Sequence, residues 1–280
     1  MSNCGVNKTL FGFIIKDEIH LSRCCYLYSN LISLDLFLNQ SLETSCKMAS
    51  TKDYGIHENR KDMCDGNCEF EEIDTLFFGC IHTCNLSCYH CCAGFDHSEE
   101  SPHKEYTPKE EISSYKDKLF KFLDKIKDET QIKHLILDAT GEIFIYYNEL
   151  VSYLRDNKDH FSCLEDIKFF TNATLLSKER IKELSDLSQS LDVNFIFNVS
   201  LDSLKANTLL AIRHIPVNKI LKTIVELRKY FQVIVCFTIK EFNKDEVEDF
   251  DNFFKKKNIP VQYAYDIFEP ALSKYMPSTY

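Results

Sequence analysis

The stretch Cys84-Asn85-Leu86-Ser87-Cys88-Tyr89-His90-Cys91 decides the reading of this chain. Its three cysteines lie four and three residues apart, and the apolar run Asp74-Thr75-Leu76-Phe77-Phe78-Gly79 leads into it. The pattern is a strand followed by a loop that carries three thiolates. Such a loop can ligate three irons of a 4Fe–4S cluster and leave the fourth iron without a protein ligand. Most four-iron clusters have four cysteine ligands and mainly carry electrons. An open iron can instead bind a substrate or cofactor, as a catalytic zinc keeps one position free. Taken alone, the loop also suits a zinc knuckle built from Cys84, Cys88, Cys91 and His82 or His90.

Downstream of this loop strands and helices alternate, which argues for a parallel α/β sheet. Strands are expected at 74–80, 134–138, 167–172, 193–200, 232–238 and 261–265. Thr107-Pro108-Lys109-Glu110 reads as a helix start, with Thr as N-cap, Pro in the first turn and Glu at the third position. That helix runs to about 128. Others are expected at 146–156, at 178–188 behind a Ser177 cap, at 203–212 and 217–230 on either side of Pro216, and at 244–256. The sum is six strand–helix units at most. Eight-stranded barrels place their chemistry at the strand C-terminal ends, and the suggestive residues of this chain fall at such ends.

Composition bounds the rest. A chain of 280 residues with 44% apolar content is long enough for one barrel-sized domain plus an extension. The net charge of −10 argues against broad phosphate-backbone binding, so nucleic acid is a disfavoured partner. The run Leu10-Phe11-Gly12-Phe13-Ile14-Ile15 is too short for a signal-peptide core, and the apolar run 26–38 is too short to span a bilayer and contains Asn30, Ser33 and Asp35. Thirteen cysteines would suit a secreted disulfide scaffold, but without a signal-peptide layout they point to metal in a reduced cytoplasm, away from membranes.

The C-x3-C-x2-C loop resembles the signature of the radical SAM superfamily. The resemblance implies a partial (β/α)6 TIM-type barrel, with a 4Fe–4S cluster on Cys84, Cys88 and Cys91 whose free iron chelates S-adenosylmethionine. An external donor such as flavodoxin or ferredoxin would supply the electron. Reductive cleavage would give a 5′-deoxyadenosyl radical that abstracts hydrogen from a substrate.

Further segments carry the resemblance. Thr140-Gly141-Glu142 is similar to the G-G-E motif that holds the cofactor's amino group, with Thr140 in place of the first glycine and Ile143 in place of a frequent proline. Thr171-Asn172 resembles the T-N pair that ends the third strand. Val199-Ser200-Leu201-Asp202 resembles the V-S-L-D segment whose serine contacts the cofactor, and Asn198, Ser200 and Asp202 share one face if the strand continues. Arg213 sits where peptide-modifying members carry an arginine that pairs with the cofactor carboxylate; a surface arginine after a helix is the alternative. His90 takes the position of a residue near the adenine, or is an exposed loop histidine. The resemblance covers about residues 74–265.

Residues 1–73 do not look like a barrel start. The segment 31–38 suits a strand or hairpin arm, 39–41 a turn, 42–46 a second arm and 50–66 a polar loop. Cys64-Asp65-Gly66-Asn67-Cys68 is a C-x3-C whose glycine lets the backbone turn both thiolates toward one ion. This extension resembles the auxiliary-cluster modules of radical SAM maturases such as the SPASM type, which usually follow the barrel. The candidate ligands of a second iron–sulfur cluster are Cys46, Cys64, Cys68 and Cys24 or Cys25; a few free thiols or a zinc site are the alternative.

These readings divide the chain into a cysteine-rich extension at 1–73 and a barrel at 74–280. The expected protein is a radical SAM enzyme that modifies a peptide or protein. A carbohydrate or small metabolite is the rival substrate. A non-catalytic zinc-binding interaction protein and a barrel that keeps its cluster without cleaving the cofactor are the rival functions.

Overall fold

The computed structural model describes residues 9–15, 18–22, 30–41, 44, 73–79, 83–89, 91, 109–138, 141–265 and 275. The expected polar loop at 50–66 and the Thr107-Pro108 helix start lie outside them. The chain divides into two compact units, one of Met1–Thr83, Thr107–Lys168 and Gln189–Asn194, the other of Cys84–Tyr106, Phe169–Ser188 and Phe195–Tyr280.

The first unit begins with β1 (Thr9–Ile15), β2 (Glu18–Ser22), β3 (Asn30–Ser33) and α1 (Leu34–Asn39). It continues with β4 (Thr75–Gly79), α2 (Lys109–Ile126), β5 (His134–Leu137) and α3 (Tyr147–Asp156). Strand β6 (Asp166–Thr171) starts in this unit and ends in the other. The strand order here is β3-β2-β1-β4-β5. β1 and β2 form an antiparallel hairpin, with Phe11 opposite Ser22. β1 then runs parallel to β4, Thr9 opposite Thr75, and β4 runs parallel to β5, Thr75 opposite His134.

The hairpin corrects the expectation for the N-terminal region. The run at 10–15, too short for a signal core, is a sheet strand joined directly to the first barrel strand. The segment 31–38 is a strand only to Ser33 and then turns into α1. Its alternation fails in the second half, where Leu36 is exposed and Phe37 is buried. Positions 34, 37 and 38 carry apolar residues at helical spacing. Of the second arm expected at 42–46, only Thr44 is described, and it is helical. Phe37, Phe78 and Phe122 stack as the centre of this core, with ring centroids 5.6 Å and 3.7 Å apart.

The second unit carries the end of β6, the body of α4 (Lys178–Leu191), and nearly all of β7 (Asn194–Ser200). It continues with α5 (Ala206–Arg213), α6 (Val217–Leu227), β8 (Gln232–Ile239), α7 (Val247–Lys255) and β9 (Val261–Tyr265). Its strand order is β7-β8-β9, all parallel, with Ser200 opposite Cys236 and Cys236 opposite Gln262. Burial alternates along β8, with Val233, Val235, Phe237 and Ile239 inside. α6 buries Val217, Ile220, Ile224 and Leu227, one stripe at helical spacing. Phe169 packs edge-on against Phe195 at 5.3 Å, and Phe197 packs against Phe231 at 4.8 Å.

Strands β4 to β9 are the six expected barrel strands, and each falls within two residues of its expected bounds. The fold is therefore an α/β partial barrel with an N-terminal addition. No helix among the described residues is long and apolar enough to cross a membrane.

Candidate functional site

The three-cysteine loop belongs to the second unit, where the ends of β6 and α5 hold it. α5 stops because His214 adopts a left-handed conformation, φ 57°, with its N–H on the Leu210 carbonyl at 3.0 Å. The last helical carbonyls need partners. One of them, that of Ile212, accepts from the Tyr89 N–H at 2.9 Å, and Cys91 N–H closes a turn on Cys88 O at 3.0 Å.

At the other side the loop is clamped by a ring of side chains just past β6. Asn172 Nδ2 donates to Asn85 Oδ1 at 2.9 Å, Asn85 Nδ2 donates to Thr174 Oγ1 at 2.9 Å, and Thr174 Oγ1 donates to Asn172 Oδ1 at 2.6 Å. Asn172 Nδ2 also points at Cys84 Sγ, 3.6 Å away. Thr171 supports this corner by accepting from Ala173 N–H at 2.9 Å, where Ala173 has φ 61°.

Arg213 is not a surface residue. It is 8% exposed, its Nε donates to Asp202 Oδ2 at 2.6 Å, and its Nη1 points at Cys88 Sγ at 3.8 Å. Strand β7 ends at Ser200, so Asp202 is placed by loop bonds rather than by strand register. Its Oδ1 accepts from Thr238 N–H and its carbonyl from Asn243 Nδ2, both at 2.9 Å. Ser200 itself is half-buried at the end of β7.

Charge and burial compete at this site. Burial is the largest influence on Cys88 and pushes its thiol from 9.0 up to about 11, against the pull of the Arg213 guanidinium. Burial also works against the charge on Arg213, but Asp202 and Cys88 more than offset it, so the guanidinium is held protonated above its ordinary range.

The Gly141-Glu142 segment belongs to the first unit. Asp138 follows β5 with φ 61°, fully buried, and its Oδ1 accepts from Gly141 N–H at 2.9 Å. Aspartate tolerates this left-handed conformation because its side chain bonds locally. Glu142 is fully buried rather than an exposed turn residue. It caps the 3-10 turn Ile143–Tyr146 by accepting from Phe144 N–H at 3.2 Å, and its own N–H donates to Thr83 O at 2.9 Å. Thr83 is the last residue of the first unit before Cys84 in the chain. The sequence reading placed Asp138 inside a strand and missed it. A polar residue closing an apolar strand was its one signal.

His90, His82, Thr140 and the cysteines Cys24, Cys46, Cys64 and Cys68 lie outside the described residues. Among the described residues no group of three or more His, Cys, Asp or Glu side chains is gathered around one metal ion. The donor set fits an anionic iron–sulfur cluster. Cys84, Cys88 and Cys91 are thiols outside any disulfide, and two of their sulfurs face N–H donors, one neutral and one cationic.

The model of the family described as the Radical SAM superfamily matches residues 80–254. The chain belongs to the radical SAM superfamily. Membership of the superfamily implies a 4Fe–4S cluster and S-adenosylmethionine. Among solved structures, SuiB of Streptococcus suis with bound S-adenosylmethionine is 14% identical, over 69% of this chain and 40% of that one, with a TM-score of 0.47. SuiB alone is 13% identical, over 95% of this chain and 67% of that one, with a TM-score of 0.49. SuiB with the precursor peptide SuiA is 11% identical, over 95% of this chain and 65% of that one, with a TM-score of 0.46. This radical SAM protein thus spans 40% of the first of these chains and about two thirds of the others. A search of the curated proteins finds no match.

Proposed function

We propose that the protein reductively cleaves S-adenosylmethionine at a 4Fe–4S cluster held by Cys84, Cys88 and Cys91, and so starts the radical modification of a peptide or protein. The observation that carries the reading is the environment of the cysteine loop. A guanidinium buried beside Cys88 and fixed by Asp202 is what an anionic cluster needs from its protein. When bound, the cluster supplies the electron that breaks a carbon–sulfur bond of the cofactor.

In this reading the chain's own residues position that chemistry. Gly141 and Glu142 take the cofactor's ammonium group, for which a buried carboxylate is suited. Arg213 faces its carboxylate, Ser200, Asn172 and His90 complete its surroundings, and Asp202 contributes by holding Arg213. A peptide or protein substrate is favoured because Arg213 resembles the arginine of peptide-modifying members. Residues 1–73 form a cysteine-rich extension, with Cys24, Cys46, Cys64 and Cys68 as ligands of a second cluster. Flavodoxin or ferredoxin is the class of electron donor.

The test is an iron count on anaerobically reconstituted protein, beside the variant with Cys84, Cys88 and Cys91 all changed to Ala. One cluster gives about four irons per chain in the wild type and none in the variant, and two clusters give about eight and about four. Reduced wild type should release 5′-deoxyadenosine. A colourless protein with stoichiometric zinc overturns the proposal.

A further inference from the structure

The sulfurs of Cys84 and Cys88 are each approached by a side-chain nitrogen from a different element. Asn172, at the end of β6, reaches Cys84 Sγ at 3.6 Å, and Arg213, at the end of α5, reaches Cys88 Sγ at 3.8 Å. Both side chains are held from behind. Asn172 is fixed by accepting at Oδ1 from Thr174 N–H at 3.0 Å and from Thr174 Oγ1 at 2.6 Å. Arg213 is fixed by Asp202, which Thr238 N–H fixes in turn. Donors placed this way cannot swing away without breaking other bonds, and both residues are buried, at 6% and 8% exposure.

An N–H donor to a ligating sulfur draws electron density from the iron–sulfur unit, and it stabilises the reduced state more because that state carries more negative charge. Cluster potentials respond to such hydrogen bonds and to local charge and solvent exposure. Here one donor is neutral and the other cationic, and both sit where water is largely excluded, so neither is screened.

We propose that Asn172 and Arg213 are positioning residues that donate N–H to the sulfurs of Cys84 and Cys88 and raise the reduction potential of the cluster held there. The proposal rests on the cluster reading of the loop. It adds that the ends of β6 and α5 tune the same cluster independently, one by a dipole and one by a full charge. Their shifts therefore add, and that of Arg213 is the larger.

The experiment is a redox titration of the reconstituted full chain without S-adenosylmethionine, followed by electron paramagnetic resonance. The variants are Asn172→Leu, Arg213→Met and, as a control, Asn85→Ala, which breaks the same clamp without removing a donor to sulfur. Asn172→Leu should move the midpoint to more negative potential, Arg213→Met should move it further, and Asn85→Ala should leave it in place. Independently of any variant, wild-type protein labelled with 15N-arginine should show a nitrogen hyperfine coupling in the reduced cluster. Midpoints equal to wild type in both donor variants, or no 15N coupling in a wild-type cluster of about four irons, overturn the proposal. A wild type that takes up no iron fails the cluster reading itself, which is a separate result.

Discussion

Arg213 Nε meets Asp202 Oδ2 at 2.6 Å, with the carboxylate 1% and the arginine 8% exposed. Removing one partner of such a pair leaves the other charge buried and uncompensated, which typically costs about 3–5 kcal/mol. Arg213→Ala should therefore lower the urea-unfolding free energy by ~3 kcal/mol. The double variant Asp202→Asn with Arg213→Met should lose much less than the sum of its single changes. Additive losses would show that the two side chains do not depend on each other.

Cys88 makes the metal-free chain sensitive to alkali. Burial holds its thiol at about 11 in the folded state, against 9.0 for an ordinary thiol. In the unfolded chain the proton leaves first, so the unfolded state binds fewer protons between these values. The stability that Cys88 contributes is complete below about pH 9 and is lost as pH rises toward 11. Urea midpoints of metal-free wild type should fall over that interval more steeply than those of Cys88→Ala. Parallel curves would sink this account.

What could be read from the sequence divides along physical lines. β4 to β9 were legible because each is an apolar run or alternation bounded by turn residues, and the helix between each pair follows at the spacing a crossover needs. β1 and β2 were not. A parallel pairing such as Thr9 with Thr75 joins residues far apart in the chain, and local periodicity carries no trace of it. At the site, the cysteine spacing and the Gly141-Glu142 pair were visible as motifs. Whether Arg213 was buried could not be read, because it depends on a partner eleven positions earlier and on a loop from another part of the chain. Asn172 was visible only as a strand-end asparagine. Its grip on Asn85 and Cys84 spans nearly ninety positions.

The ring of Asn85, Thr174 and Asn172 should act on how long the cluster stays bound. A single hydrogen bond contributes about 1 kcal/mol net. Asn85→Ala or Thr174→Val should therefore release iron to a chelator roughly fivefold faster than wild type. The urea midpoint of the metal-free form should change little, since Asn85 is exposed and the core is untouched. Unchanged release rates would remove the clamp from the description of the loop.

The core of the first unit makes a plainer claim. Phe122 is fully buried and stacks on Phe78 at 3.7 Å, with the rings 15° from parallel. Phe122→Ala removes that surface from the core and leaves a cavity, a change that costs about 3–5 kcal/mol. Phe122→Leu keeps most of the volume and should cost under half as much in urea unfolding. Equal losses would mean that the stacked geometry, rather than the filled space, holds this region.

Glu142 separates binding from stability. Its Oε1 caps the 3-10 turn through Phe144 N–H at 3.2 Å, and its carboxylate is the group proposed to take the cofactor's ammonium. Glu142→Gln keeps an acceptor for the cap and removes the charge, whereas Glu142→Ala removes both. The Gln variant should bind S-adenosylmethionine roughly tenfold more weakly, the equivalent of ~1.4 kcal/mol, with an unchanged unfolding midpoint. The Ala variant should add a stability loss of about 1 kcal/mol from the missing cap. Calorimetric titration of the reconstituted protein with S-adenosylmethionine reads the first effect and thermal unfolding the second. If the Gln variant binds as tightly as wild type, Glu142 is a cap and no more, and the cofactor's ammonium group must be held elsewhere.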